Sequence, residues 1–149
     1  MHLHRDFNAF IDCCAARGVR FLVVGGYALA AHGHPRMTKD LDVLVEPDPS
    51  NAERLVAALG DFGFGTIGLE TADFIEPGAV VQLGYPPIRI DILTSIDGVP
   101  FEQAYDRRAD VDVDGRHVPV IGRDELIANK RATGRLQDLA DVERLEADA

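Results

Sequence analysis

Two consecutive glycines, Gly25 and Gly26, follow the apolar run Arg20 to Val24 and precede Tyr27 to His32, whose Ala and Leu content favours a helix. The order predicts a strand, a glycine turn and a helix. Such a turn frees the backbone to take φ > 0 and to approach a ligand closely, beside helix N–H groups that attract anions. Strand-to-helix turns also use glycine for steric reasons alone, so the surrounding residues decide its meaning. Two well-known phosphate-binding loops are excluded. A P-loop needs G-x-x-x-x-G-K-[ST], and a dinucleotide fingerprint needs three glycines where this chain has Gly25, Tyr27 and Ala30.

The rest of the chain extends this unit into one mixed sheet with helices. Leu3, Phe7, Phe10, Ile11 and Cys14 recur at helical steps, which predicts a helix from Leu3 to Arg17 with Gly18 at its C-terminal cap. Gly33 and Pro35 end the second helix, and Asp40 to Glu46 alternates as a strand closed by Pro47 and Pro49. Asn51 to Phe62 is helical in pattern; Gly65 to Pro77 is a short strand or loop. Val80 to Leu83 and Ile88 to Leu93 make a hairpin across Gly84-Tyr85-Pro86-Pro87. Phe101 to Arg108 forms a short helix, Asp114-Gly115 turns a second hairpin between Val111 to Val113 and His117 to Ile121, and Arg123 to Ala147 supplies two helices. With no internal repeat or composition shift, residues 1–149 read as a single α/β (α+β) domain, its core over about 19–121 and its C-terminal helices over about 123–147.

The chemistry is concentrated in three acids. In a strand, residues two apart share a face, so Asp40 and Asp42 project together and repel. A bound Mg²⁺ or Mn²⁺ turns that repulsion into coordination. Such cations take oxygen ligands, and Mg²⁺ commonly uses only one or two carboxylates, sharing the rest of its shell with water and substrate phosphates. Asp91 stands in the otherwise apolar strand Arg89-Ile90-Asp91-Ile92-Leu93, where a third metal carboxylate would account for it. Each acid taken singly could instead be a solvated strand-edge residue, or pair with Arg89 or Lys39.

Charge and composition narrow the partners. A net charge of −10 repels phosphate backbones, so no extended nucleic-acid surface is expected and a small ligand or protein fits better. Cys13 and Cys14 are adjacent and unsuited to a disulfide with each other, which suggests a reducing compartment. No signal-like opening or membrane-length apolar run is present, and a cytoplasmic location is expected. His2, His4, His32 and His34 lack partners at a recognisable zinc spacing.

Strand, Gly-Gly, helix, Asp-x-Asp on the next strand and a further Asp on a later one resembles the nucleotidyltransferase superfamily with its polymerase-β-like core. Val24 to Gly33, then Arg36-Met37-Thr38-Lys39-Asp40-Leu41-Asp42-Val43-Leu44, is similar to small bacterial members akin to AbiEii-type toxins and antibiotic nucleotidyltransferases. Asn129 to Val142, with Lys130 and Asp138-x-x-Asp141, resembles a helical motif of those toxins; Gln137 departs from it where a basic residue is expected. The resemblance covers most of the chain. It implies that Asp40, Asp42 and Asp91 are the catalytic metal ligands and that Gly25 and Gly26 hold a nucleoside triphosphate. Lys130 is a candidate mobile point charge for the leaving phosphates, with Arg36 and Lys39 placed to assist, or all three are solvated surface charges; Asp138 and Asp141, spaced for one helical face, orient Arg135 or Lys130 or form surface ion pairs. The implied reaction moves a nucleoside monophosphate to an RNA end, a protein hydroxyl or a small molecule, in an enzyme that could be the toxin of a toxin–antitoxin pair. The competing reading is a catalytically silent nucleotide-binding or interaction module, such as an antitoxin or scaffold subunit.

Overall fold

In a computed structural model, which describes residues 3–63, 68–85 and 87–148, the chain forms one mixed six-stranded sheet with helices about it. The elements run α1 (Arg5–Ala16), β1 (Phe21–Val24), α2 (Gly25–Ala31), β2 (Asp40–Val45), α3 (Pro49–Phe62), a 3-10 turn (Thr71–Phe74), β3 (Val80–Tyr85) and β4 (Ile88–Leu93). They continue with α4 (Phe101–Asp106), β5 (Ala109–Val113), β6 (Arg116–Val120), α5 (Arg123–Thr133) and α6 (Leu136–Glu146).

The strands lie in the order β3-β4-β2-β1-β6-β5. Hairpins β3–β4 and β5–β6 are antiparallel, as is β1–β2, whereas β2–β4 and β1–β6 are parallel. The two parallel pairings put β1 and β2 at the centre, where their side chains are almost all buried. Strand β1 is apolar throughout, as a strand covered on both faces must be. Strand β2 follows that pattern after its first three residues, and Asp40 and Asp42 mark where it leaves the core.

Local chemistry explains the element ends. Helix α1 starts where the His4 ring accepts from the Asp6 amide, and it ends at Ala16 with Arg17 as its cap and Gly18, at φ +68, just beyond. Helix α3 begins with an Asp48 cap on the Asn51 amide and Pro49 in its first turn, and ends at Gly63 in the left-handed region. Asn51 is fully buried, accepting from the Arg20 amide and donating to the Arg20 and Glu46 carbonyls, so it fixes the start of β1 against the end of β2. Asp114 and Gly115 both take positive φ, the turn that matches the twist of a two-residue hairpin.

Several expectations shift. Helix α2 begins at Gly25 rather than Tyr27, so the glycines form its first turn. Strand β3 continues through Gly84 and Tyr85, which pair with Arg89 and Ile88; Pro86, part of the expected turn, lies outside the described residues. Gly84 makes this possible, because at φ +77 a side chain there would press on the Ile88 carbonyl. Helix α4 stops at Asp106, giving Ala109 and Asp110 to a longer β5. Residues 65–67 lie outside the described residues, and the remainder of that stretch carries a 3-10 turn that buries Phe74 rather than a strand. Among the described residues no helix is long and apolar enough to cross a membrane.

Candidate active site

The three aspartates converge because of register. In the parallel β2–β4 pair, Asp42 lies directly opposite Asp91 and Asp40 opposite Arg89. Asp40 and Asp42 share a face by strand alternation, as do Arg89 and Asp91, so all four side chains stand together. The last β1–β2 pair joins Val24 to Asp42, which places the glycine turn at the Asp42 carboxylate. Gly25 has φ +69, and a Cβ there would lie 3.1 Å from both Cβ and Cγ of Asp42 and clash with its carboxylate oxygen. Gly26 is as constrained, because an added Cβ would sit 2.7 Å from Thr38 Oγ1 and 2.9 Å from Thr38 Cβ. Glycine is required at both positions by close approach, and at Gly25 by backbone conformation too.

The electrostatics are those of crowded anions with a partial counter-charge. Burial, then the Asp91 and Asp40 charges, push the Asp42 carboxyl up to about 6, against the pull of Arg89 and Arg135. Arg89 donates from Nε to Asp91 Oδ1 and from a terminal nitrogen to Asp91 Oδ2, both at 3.0 Å, and stands 3.6 Å from Asp40. This two-pronged ion pair neutralises Asp91 more fully than Asp42. Asp42 is left as the most strained anion of the set.

Beside Asp42 opens a polar cleft of about 280 Å³, lined by Gly25, Ser95, Asn129, Lys130 and Arg135 among others. Helix α5 and the link before α6 supply its cations. Lys130 is 5% exposed, donates to Asp141 at 2.9 Å and stands 3.7 Å from Asp138. Arg135, in the Gly134-Arg135 link, donates through Nε to Asp138 at 2.7 Å. The hydrogen bond and charge of Asp138 raise its pKa, and Asp42 adds to the effect more weakly. Asp138 and Asp141 therefore hold the two cations.

The other residues named from sequence have different settings. Lys130 lines the cleft but is fixed in a buried ion pair, not mobile. Arg36 does not line this cleft; it stands 3.3 Å from Asp141. Lys39 is exposed just before β2. Gln137 is exposed on α6. His32 bonds to the Ile121 carbonyl and His34 to Asp148, so both rings have structural partners. Sequence reasoning weighed Arg89 only as a neutralising partner and Arg135 only as a residue to be oriented. The i, i+2 spacing of Arg89 and Asp91 was the available signal for the first; for Arg135, set by the packing of α6, none was.

The oxygen-only donor set, with Asp40 and Asp42 on one face and Asp42 under strong repulsion, suits a hard divalent cation. Among the described residues no three His, Cys, Asp or Glu side chains are already gathered as a metal-holding cluster. Both oxygens of Asp91 are bonded to Arg89. Two carboxylates meet the usual requirement of Mg²⁺, whose remaining positions go to water and phosphate.

Comparison with known proteins identifies the family and the fold. Residues 11–145 match the family described as nucleotidyl transferase AbiEii toxin, type IV TA system. A crystal structure of a candidate nucleotidyltransferase from Thermotoga maritima is similar with TM-score 0.64 at 14% identity, covering 99% of this chain and 98% of the other. The lincosamide antibiotic adenylyltransferase LnuA, solved with lincomycin bound, is similar with TM-score 0.61 at 14% identity and the same coverages, 99% and 98%. Comparison with curated protein sequences gave no match. At such low identity the solved structures establish the fold, and the family match over most of the chain establishes the class: this protein belongs to the AbiEii nucleotidyltransferase family.

Proposed function

We propose that the protein is a divalent-metal-dependent nucleotidyltransferase that moves a nucleoside monophosphate from a nucleoside triphosphate to an acceptor hydroxyl. The observation that carries this reading is the register of Asp42 with Asp91, beside Asp40 and against Gly25. Asp40 and Asp42 would hold the cation, with Asp91 completing the set. When bound, Mg²⁺ or Mn²⁺ supplies charge stabilisation on the phosphate oxygens.

The chain's own residues then have distinct tasks. Gly25 leaves space at Asp42 that a side chain would fill, so a phosphate can come close to the carboxylate. Arg135 and Lys130 face the cleft as fixed positive charges for the triphosphate, oriented by Asp138 and Asp141. The acceptor oxygen attacks the α-phosphorus, the bond to the β-phosphate breaks, pyrophosphate leaves, and the hydroxyl proton passes to an aspartate of the trio. Asp91, whose direction Arg89 sets through bonds to both oxygens, either completes the cation's ligands or takes that proton.

The acceptor is an RNA end, a protein hydroxyl or a small molecule, and LnuA, an adenylyltransferase whose structure holds lincomycin, is a precedent for the last. The family's type IV toxin–antitoxin description supports a toxin role with a cognate antitoxin. One observation favours the silent-module alternative: Arg89 already neutralises Asp91 and approaches Asp40. Incubation with each α-labelled triphosphate, Mg²⁺ or Mn²⁺ and candidate acceptors separates the two. Label transfer or pyrophosphate release that vanishes in Asp42→Ala supports the enzyme, whereas no turnover and no metal-dependent nucleotide binding supports the silent module.

A further inference from the structure

The cleft at Asp42 is smaller than a second hollow of about 680 Å³, which shares none of its lining residues. This second hollow lies between α2 and residues 33–38, with Tyr27, Ala31, Pro35, Arg36, Met37 and Thr38 on its walls. Its volume falls within the roughly 300–1,000 Å³ of small-molecule sites. Thr38 connects it to the aspartates, since its side chain packs against Gly26 and donates to the Asp40 carbonyl at 3.4 Å. Tyr27 lies on the same side: its phenol pKa is raised by burial and then by the charge of Asp40.

The walls state what the occupant must be. Ala31, Pro35 and Met37 offer apolar contact, and Met37 is 90% exposed at residue 37, an uncovered thioether that tolerates varied ligand shapes. Arg36 is anchored by a terminal nitrogen to Asp141, yet its Nε is buried with no hydrogen-bond partner among the described residues. The rest of the side chain is partly exposed on the wall of the hollow, where its guanidinium charge can meet an oxygen acceptor on a ligand. The net charge of −10 disfavours a long polyanion in so acidic a protein.

We infer that this second cleft is the acceptor site, and that it takes a small molecule with an apolar or aromatic body, an oxygen acceptor for the Arg36 guanidinium and a hydroxyl directed towards Asp40. The inference rests on the nucleotidyl-transfer reading and names its second substrate class. In the reaction the ligand's hydroxyl oxygen forms the new bond to the α-phosphorus as the α–β phosphoanhydride bond breaks. The nucleotide occupies the polar cleft on the Gly25 side. The two substrates meet at the aspartates between them.

The test uses the full chain and two fluorescent probes of matched shape, 8-anilino-1-naphthalenesulfonate, which carries oxygen acceptors, and neutral N-phenyl-1-naphthylamine. Both should bind saturably at one site per chain, and Ala31→Trp should abolish both by filling the hollow. Met37→Glu, at an exposed position that places no demand on folding, should weaken both. Arg36→Met should weaken the sulfonate by about tenfold or more, the loss expected for a hydrogen bond to a charged group, while sparing the neutral amine. Binding of a fluorescent nucleoside triphosphate with Mg²⁺ should be unchanged in Ala31→Trp. Probe binding indifferent to Ala31→Trp and Met37→Glu overturns the site, and nucleotide binding lost in Ala31→Trp overturns its assignment to the acceptor. If probe binding follows the pocket variants but no triphosphate binds wild type, the acceptor role falls with the transfer reading, and the intact probe data identify which premise failed.

Discussion

Replacing Asp42 with Asn should stabilise the metal-free protein at neutral pH. Asp42 is pushed to about 6 from 3.8, and at ~1.4 kcal/mol per pH unit this difference corresponds to at most ~3 kcal/mol of stability. Asp42 keeps some contact with water, so screening reduces the expected gain to about 1–2 kcal/mol. The folded state binds the Asp42 proton more tightly than the unfolded chain does. Stability contributed by that proton is therefore full below about pH 3.8 and is lost as pH rises through about 6. The advantage of Asp42→Asn should accordingly be near zero at about pH 3.8, grow up to about pH 6 and level off above it. With no Trp in the chain, urea unfolding followed by far-ultraviolet circular dichroism in EDTA is the direct assay. At ~2–4 °C per kcal/mol for a chain of this size, the melting temperature should rise by several degrees at neutral pH. An Asn variant no more stable than wild type at neutral pH, or one whose advantage does not fade on acidification, would refute the claim that burial and the neighbouring aspartates together destabilise the Asp42 charge.

Three other substitutions probe the surrounding structure. Gly25→Ala should cost about 1–3 kcal/mol, from its positive φ and its collision with Asp42, and should lower metal-dependent nucleotide binding more than it lowers stability, measured by unfolding and titration in parallel. Lys130→Met leaves Asp138 and Asp141 buried without their shared cation and should cost about 3 kcal/mol in urea unfolding, less than a full orphaned charge because Arg36 and Arg135 remain. Arg89→Gln removes the counter-charge from Asp91 and Asp40; the variant should melt lower than wild type in EDTA and recover more stability than wild type when Mg²⁺ is added, as thermal melts with and without metal would show.

The sheet and its acidic face were readable because each rests on short-range chemistry. Alternation put Asp40 and Asp42 on one face, Gly25-Gly26 announced a turn needing unusual backbone, and Asp114-Gly115 specified its hairpin. The alignment of Asp91 with Asp42 was less accessible, since β2 and β4 are parallel neighbours far apart in sequence and register across such a pair is set by the whole core. Element ends moved by a residue or two for local reasons, as at Gly84, where positive φ carries strand β3 closer to the prolines than their presence suggests. The roles of Lys130 and Arg36 depended on tertiary packing. A lysine in a helix near two aspartates at three-residue spacing reads as a solvated charge until α5 and α6 close over it. The orphaned Nε of Arg36 and the hollow beside it leave no trace in a linear pattern at all.

Electron paramagnetic resonance of Mn²⁺ titrated into the protein with a nucleoside triphosphate bears most directly on the idea that the paired strands β2 and β4 present a metal–nucleotide site. Wild type should remove free Mn²⁺ from solution, beyond what the nucleotide alone binds, with a saturable stoichiometry, and Asp42→Asn and Asp40→Asn should each abolish the excess while remaining folded. Mn²⁺ uptake no greater than that of nucleotide alone, or uptake that survives both substitutions, would contradict the account.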